Sequence, residues 1–410
     1  MGEIHLGIGF ATGRRNFRKV LSAYIHTWRT TKCDLPAGAE VRLHLFVAYD
    51  VEYRHTKSTD YTNLPQDLVD AFDSITFVGA KNSYGPLERL RGSGDLTRTE
   101  LRSVFGAGYA GKRNAALFAA LESRMDYFLF LDDDEYPMAV AKTHETCIWC
   151  GQRVLTTHLR EIGEADYTNG LHCGYVSPIP QISFDGTLGE GDFRRFVEAI
   201  SNDIVSWDSI RSLMESDGVT YATPELLISR ESQNVPLVGG CRFISGANLC
   251  INLRDPHRTL PFFNPPGARG EDTFLSTLLE DRTVRRIPTY TFHDGFAIYQ
   301  HLLDGVLPIH LSEIQAGSPS INTRFLNACV GWVRYKPLLT YLTAPQDYEK
   351  KMRSMHEALD QTLPALAEYF QDRRFFSITT ELDKYAKNVE KHARRFELSQ
   401  STWQKIVDHL

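Results

Sequence analysis

The chain is 410 residues long, 42% hydrophobic and 23% charged, which excludes a single small module and a chain dominated by disorder. With 45 Lys and Arg against 51 Asp and Glu, the net charge is −6, so no nucleic-acid partner is expected and a small ligand is. Seven cysteines, an odd number, are too few for a disulfide scaffold and are expected to be reduced thiols of a cytoplasmic protein. No apolar run approaches the ~20 residues that cross a bilayer, and Met1 to Lys19 has no apolar signal core.

In chain order, His5 to Phe10 reads as a strand, then Thr12-Gly13-Arg14-Arg15 as a polar turn, then a helix near Phe17 to Trp28. Val41 to Tyr49 is a second strand ending at Asp50, and Ile75 to Val78 a third. Strands alternating with helices build a mostly parallel α/β sheet. The glycines between residues 82 and 111 suggest a loop-rich stretch. Helical spacing follows in Ala115, Leu117, Phe118 and Leu121, then five apolar residues, Tyr127 to Leu131, suit a central strand covered on both faces. From Cys147 to Ile200 irregular structure is expected, and Val238 to Leu253 reads as paired strands. Beyond Pro345, apolar residues stepping by three and four from Tyr348 to Phe370 predict a helical tail, packed on the core or on a partner. The implied division is 1–140, 141–340 and 341–410.

Asp132, Asp133 and Asp134 follow the central strand at once. Three like charges at a strand end repel one another and call for a cation. Hard carboxylate oxygens suit Mg²⁺ or Mn²⁺, and carboxyl ends of parallel strands are where open α/β sheets bind ligands. Lys112 and Arg113, placed in the first turn of the preceding helix, would oppose its dipole unless an anion sat there, with Gly111 permitting close approach. Glu271 and Asp272 open a later helix, where acids either cap or face a cleft. His293 and Asp294 follow a short strand, and an imidazole is a plausible further metal ligand.

A strand ending in LDDD after a GKRNAAL helix, then a Gly-rich hairpin, a loop-borne RGEDTFL and a His resembles the family 2 type of GT-A-fold glycosyltransferases. The resemblance runs from about Gly7 to Gly295. It implies a nucleoside-diphosphate sugar donor, a divalent metal and an acceptor hydroxyl on a saccharide or small molecule. By that resemblance Asp50 contacts the nucleotide base, Lys112, Arg113 and Asn114 help hold the nucleotide, and Asp132 with Asp133 lies at the donor. Asp134 and His293 hold the metal, and Asp272 is the general base of an inverting transfer. A retaining transferase and a silent nucleotide-sugar-binding scaffold are the alternatives, the latter using the helical tail, which could also carry a homo-oligomer. Cys147 and Cys150 form a lone C-x-x-C, read as two buried thiols beside Trp149 rather than as a zinc site.

Overall fold

The computed structural model describes residues 3–32, 35, 40–79, 85–92, 94–144, 146–201 and 207–410. Its strands are β1 (Glu3–Thr12), β2 (Glu40–Tyr49), β3 (Ser74–Val78), β4 (Tyr127–Leu131), β5 (Glu135–Tyr136), β6 (Met138–Thr143), β7 (Thr146–Gly151), β8 (Tyr167–Gly174), β9 (Gln233–Asn234), β10 (Leu249–Asn252) and β11 (Val284–His293). Among the described residues nine of them form one sheet, ordered β3-β2-β1-β4-β10-β8-β11-β5 with β9 on β11. Strands β3, β2, β1 and β4 are parallel, as are β8 and β11. Antiparallel β10 is inserted between β4 and β8.

The apolar run at β4 forms a strand because both of its faces find partners. Tyr127, Leu129 and Leu131 join one cluster with Leu6, Ile8 and Phe10, while Phe128 and Phe130 join a second with Phe46 and Phe262. Alternation of side chains across the sheet produces the division. On β1 the second face is glycine: a Cβ on Gly9 would lie 2.3 Å from the Phe128 ring. The chain lays β1, β2 and β3 outward to one edge, then returns to place β4 on the other side of β1. At that reversal the carboxyl ends of β1 and β4 lie side by side, the position where such sheets usually bind ligands.

The tail is helical as expected, and its apolar faces are covered by this chain. Helix Tyr348–Tyr369 buries Met352, Met355, Leu359 and Leu363 in a cluster with Phe193 and Phe196. Helix Val389–Val407 sends Trp403, Ile406 and Val407 into the cluster behind β4, where Trp403 Nε1 donates to Thr259 Oγ1 at 3.1 Å and Lys405 pairs with Glu100 at 2.6 Å.

Four expectations are corrected. The stretch 82–111 is mainly helical, with helices Gly85–Gly92 and Arg98–Phe105; residues 82–84 and 93 lie outside the described ones. Thr97 and Glu100 form a reciprocal cap, and buried Leu101 and Val104 anchor the second helix. Residues 147–200 are ordered as β7, a helix Val154–Glu161, β8 and a helix Glu190–Ile200. Between Val238 and Leu253 only β10 is a strand, preceded by a tight turn bridging Val238 and Cys241, with Gly239 and Gly240 both left-handed. Finally, Cys147 is half-buried and Cys150 exposed. Three residues apart on β7, they point to opposite faces of the strand, which separates them as metal ligands.

Helix Val154–Glu161 is tied to the sheet through His158. Its Nδ1 meets Thr168 Oγ1 at 2.7 Å and its Nε2 meets Asn248 Oδ1 at 2.9 Å. Because Asn248 Nδ2 donates to two carbonyls, its Oδ1 must accept, so His158 carries its proton on Nε2. Burial holds this imidazole down to about 4, below the ordinary 6.5. Its contribution to stability is therefore complete above pH 6.5 and is lost as pH falls from 6.5 toward 4, roughly 3 kcal/mol in all. His158→Gln is expected to lower stability at pH 7 and to flatten that acid dependence, as read by urea unfolding at several pH values. Gly9→Ala is expected to lose about 1–3 kcal/mol by overpacking against Phe128, read by the same method at neutral pH.

Candidate active site

The acid row stands on the end of β4, and basic side chains from several elements meet it, Arg14 serving two of its carboxylates. Asp132 accepts from Arg113 Nη2 at 2.9 Å. Asp133 accepts from Thr12 Oγ1 at 2.5 Å and from Arg14 Nη1 at 2.7 Å. Asp134 meets Arg14 Nη1 at 2.5 Å and His293 Nε2 at 3.4 Å. Glu135, on β5, turns away toward β8 and β11, pairing with His172 at 3.2 Å and accepting from Thr291 Oγ1 at 2.6 Å. Thr12 and Arg14 reach the row because sheet order sets the end of β1 beside the end of β4.

These environments separate the carboxyl groups. Burial raises Asp132 to about 7 against the pull of Arg113, with the neighbouring acids adding to the rise. For Asp133 burial also wins, over Arg14, and raises it. Burial would raise Asp134 too, but His293 and then Arg14 hold it well below the ordinary carboxylate range. Reciprocally, burial would lower His293 and Asp134 overrides it, lifting the imidazole to about 9.

Arg113 connects the row to the second acid. Its side chain is 2% exposed and lies against the rings of Tyr109, Phe130 and Phe262 at 5.1–5.5 Å. Besides Asp132 it donates to the Gly246 carbonyl at 2.5 Å, and its Nε lies 3.6 Å from Glu271. Gly246 N in turn donates to Asp272 Oδ2 at 3.3 Å, while Thr273 N donates to Asp272 Oδ1 at 2.8 Å. Asp272 is half-buried at the start of helix Glu271–Ser276.

The structure thus gathers Asp132, Asp133, Asp134, His293, Arg113 and, through Gly246, Asp272. Asp50 and Lys112 meet one another at 2.8 Å; burial would raise Asp50, and Lys112 lowers it. Asn114 is elsewhere in function: fully buried, it donates to the carbonyls of Val104 and Phe262 and accepts from Phe262 N, so both ends of its amide clamp backbone. Nor do Lys112 and Arg113 sit in a first turn, because the helix begins at Tyr109. Gly111 is close to backbone of this chain, its imagined Cβ 1.9 Å from the Gly106 carbonyl, so it serves packing.

Sequence reasoning missed Arg14 and Arg324 as site cations. Arg324 lies on helix Pro319–Thr343, its guanidinium over the Phe296 ring at 4.2 Å. It packs over Gly295, where a Cβ would stand 2.2 Å from Arg324 Nη2 and 2.9 Å from His293 Cε1. Its buried Nε has no partner among the described residues, and burial depresses it, with Asp134 opposing and Arg269 and Arg14 reinforcing. A cation in the Thr12–Arg15 turn was readable as the counter-charge the aspartates demand; Arg324, distant in sequence, left no local signal.

One corner of this site sets a carboxylate, Asp134, beside an imidazole, His293. His293 Nδ1 lies 2.8 Å from the Tyr175 carbonyl, an acceptor only, so Nδ1 bears hydrogen; Nε2 faces Asp134 as a protonated ion-pair partner, and a metal ligated there would displace that proton. Two protein ligands suit ions that keep water and phosphate oxygens in their shell. Among the described residues no three His, Cys, Asp or Glu side chains converge as an all-protein cage.

No protein-family model matches the chain, and no curated protein is similar to it in sequence. Among solved structures it is similar to the galactosyltransferase LgtC in complex with donor and acceptor sugar analogues. The identity is 13%, over 84% of this chain and 99% of that one, with a TM-score of 0.26. At that score the likeness adds nothing to what the residues show. No helix among the described residues is long and apolar enough to cross a membrane.

Arg113→Met is expected to cost about 3–5 kcal/mol, because it strands Asp132 and Glu271 as buried acids. Denaturant unfolding at pH 7 measures the loss, and stability equal to the parent would remove Arg113 from its positioning role.

Proposed function

We propose that the chain is a GT-A-like, metal-dependent glycosyltransferase that moves a sugar from a nucleoside-diphosphate sugar to an acceptor hydroxyl with inversion. The observation that carries this reading is the acid row where the carboxyl ends of β1 and β4 lie side by side, flanked by Arg324, a cation without a carboxylate partner among the described residues. The first 140 residues would bind the donor and residues 141–340 the acceptor.

Asp134 and His293 would hold Mn²⁺ or Mg²⁺, which when bound supplies positive charge to the donor's diphosphate. Asp50 and Asp132 would orient the nucleoside, with Lys112 beside them. The acceptor oxygen bonds to the anomeric carbon as the bond to the diphosphate breaks, and that electron pair leaves with the diphosphate. Arg324, whose charge no carboxylate among the described residues neutralises, would face the growing negative charge, and fixed charge of this kind stabilises a transition state without reorganisation. The acceptor proton passes to Asp272, whose carboxylate is held by the backbone of Gly246 and Thr273.

Asp272→Asn is expected to lower turnover by about 10²–10⁴-fold with donor affinity unchanged. Asp134→Ala is expected to abolish the manganese dependence of donor affinity. Calorimetry with UDP- and GDP-sugars, with and without Mn²⁺, reads both affinities. Proton NMR of the product reads the anomeric configuration. Absence of binding to every nucleoside-diphosphate sugar would falsify the reading, and retained configuration would remove Asp272 as base.

A further inference from the structure

A second concentration of positive charge lies away from the acid row, where helices Ser377–Ala386 and Val389–Val407 meet the loop at Pro266 and Gly267. The cleft there has a volume of about 350 Å³, and Arg334, Lys384, Lys391, His392 and Arg395 stand around it. The chain is net acidic, so four permanent cations, Arg334, Lys384, Lys391 and Arg395, on one concavity are not an average of its surface.

One carboxylate already serves two of these cations, and the other two are left without one among the described residues. Glu381 pairs with Arg334 at 2.7 Å and lies 3.8 Å from Lys384, while Glu390 pairs with Arg394 at 3.7 Å. Lys391 and Arg395 are exposed, lie one turn apart on one helix face, and form no ion pair among the described residues. His392 between them is held low, by burial first and then by Arg395 and Lys391. The floor is fixed rather than open to collapse: Tyr385 Oη donates to the Pro266 carbonyl at 2.6 Å and Arg334 Nη1 to the Gly267 carbonyl at 2.9 Å.

We propose that this cleft is a binding site for a small polyanion carrying two or more phosphate groups. Guanidinium forks and ammonium groups together match clustered phosphate oxygens. The volume falls at the lower end of the ~300–1,000 Å³ usual for small-molecule sites. Phosphate clusters also occur on lipid headgroups, but cations gathered around a concavity favour a ligand that enters it over a flat membrane surface. The assignment does not rest on the transfer reaction above.

Inorganic pyrophosphate titrated into the full chain tests it. Arg14→Ala and Arg324→Ala are introduced first, to silence the cations beside the acid row. In that background pyrophosphate is expected to bind, and Lys391→Glu with Arg395→Glu to weaken it at least tenfold, as rising salt does. Both lysine and arginine are exposed, so the unliganded melting temperature should stay the same. No binding, or equal binding after the charge reversals, overturns the proposal. So does binding to phosphatidic-acid vesicles without binding to pyrophosphate. Tungstate soaked into crystals of the unsubstituted protein gives an independent reading: a peak between Lys391 and Arg395 supports the site, and peaks confined to the acid row reject it.

Discussion

A guanidinium almost wholly removed from water organises the candidate site. Burial of Arg113 would be prohibitive alone, since an ion leaving water loses several kcal/mol of solvation even after relaxation. It is tolerated because an aspartate, a backbone carbonyl, a nearby glutamate and three aromatic rings surround it. Those partners come from the helix Tyr109–Glu122, the end of β4, the residues Gly246 and Phe262, and the helix Glu271–Ser276. One cation therefore ties its own helix to distant pieces of chain, among them those that carry Asp132 and Glu271. Partly satisfied buried networks are costly, so each partner constrains the others.

The four consecutive acids illustrate how a fold divides like charges. Asp132 looks to Arg113, Asp133 to Arg14, Asp134 to His293 and Arg14, and Glu135 to His172. Two of the cations arrive from β1 and β11, strands that flank the row in space and are far from it in sequence. Such repulsive neighbours persist only where the surrounding structure supplies charge from several directions.

How much of this was legible can be seen element by element. The run Tyr127–Leu131 announced a strand covered on both faces, and the aspartates after it announced a need for positive charge; both readings depend only on neighbours in sequence. The periodic tail was equally plain. What sequence could not show was direction. In GKRNAAL the arginine and asparagine look like ligand contacts, yet Asn114 clamps Phe262 and Val104 inside the protein, and Gly111 makes room for the Gly106 carbonyl. Strand β10 is four residues long, too short to declare a central position, and its antiparallel insertion is a property of the whole sheet. Arg324 became visible only when a helix starting at Pro319 came to rest beside His293.

The helix Val389–Val407 has a consequence for biosynthesis. Its Trp403, Ile406 and Val407 complete the apolar cluster that includes Phe46, Phe128 and Phe130 by packing against the helix Arg98–Phe105, so that helix lacks its apolar cover until Val407 has been made. A nascent chain would hold that greasy surface open throughout elongation. Chaperone holdases, which favour unburied apolar segments, should therefore meet this polypeptide late in translation, and release it once the indole of Trp403 docks against Thr259.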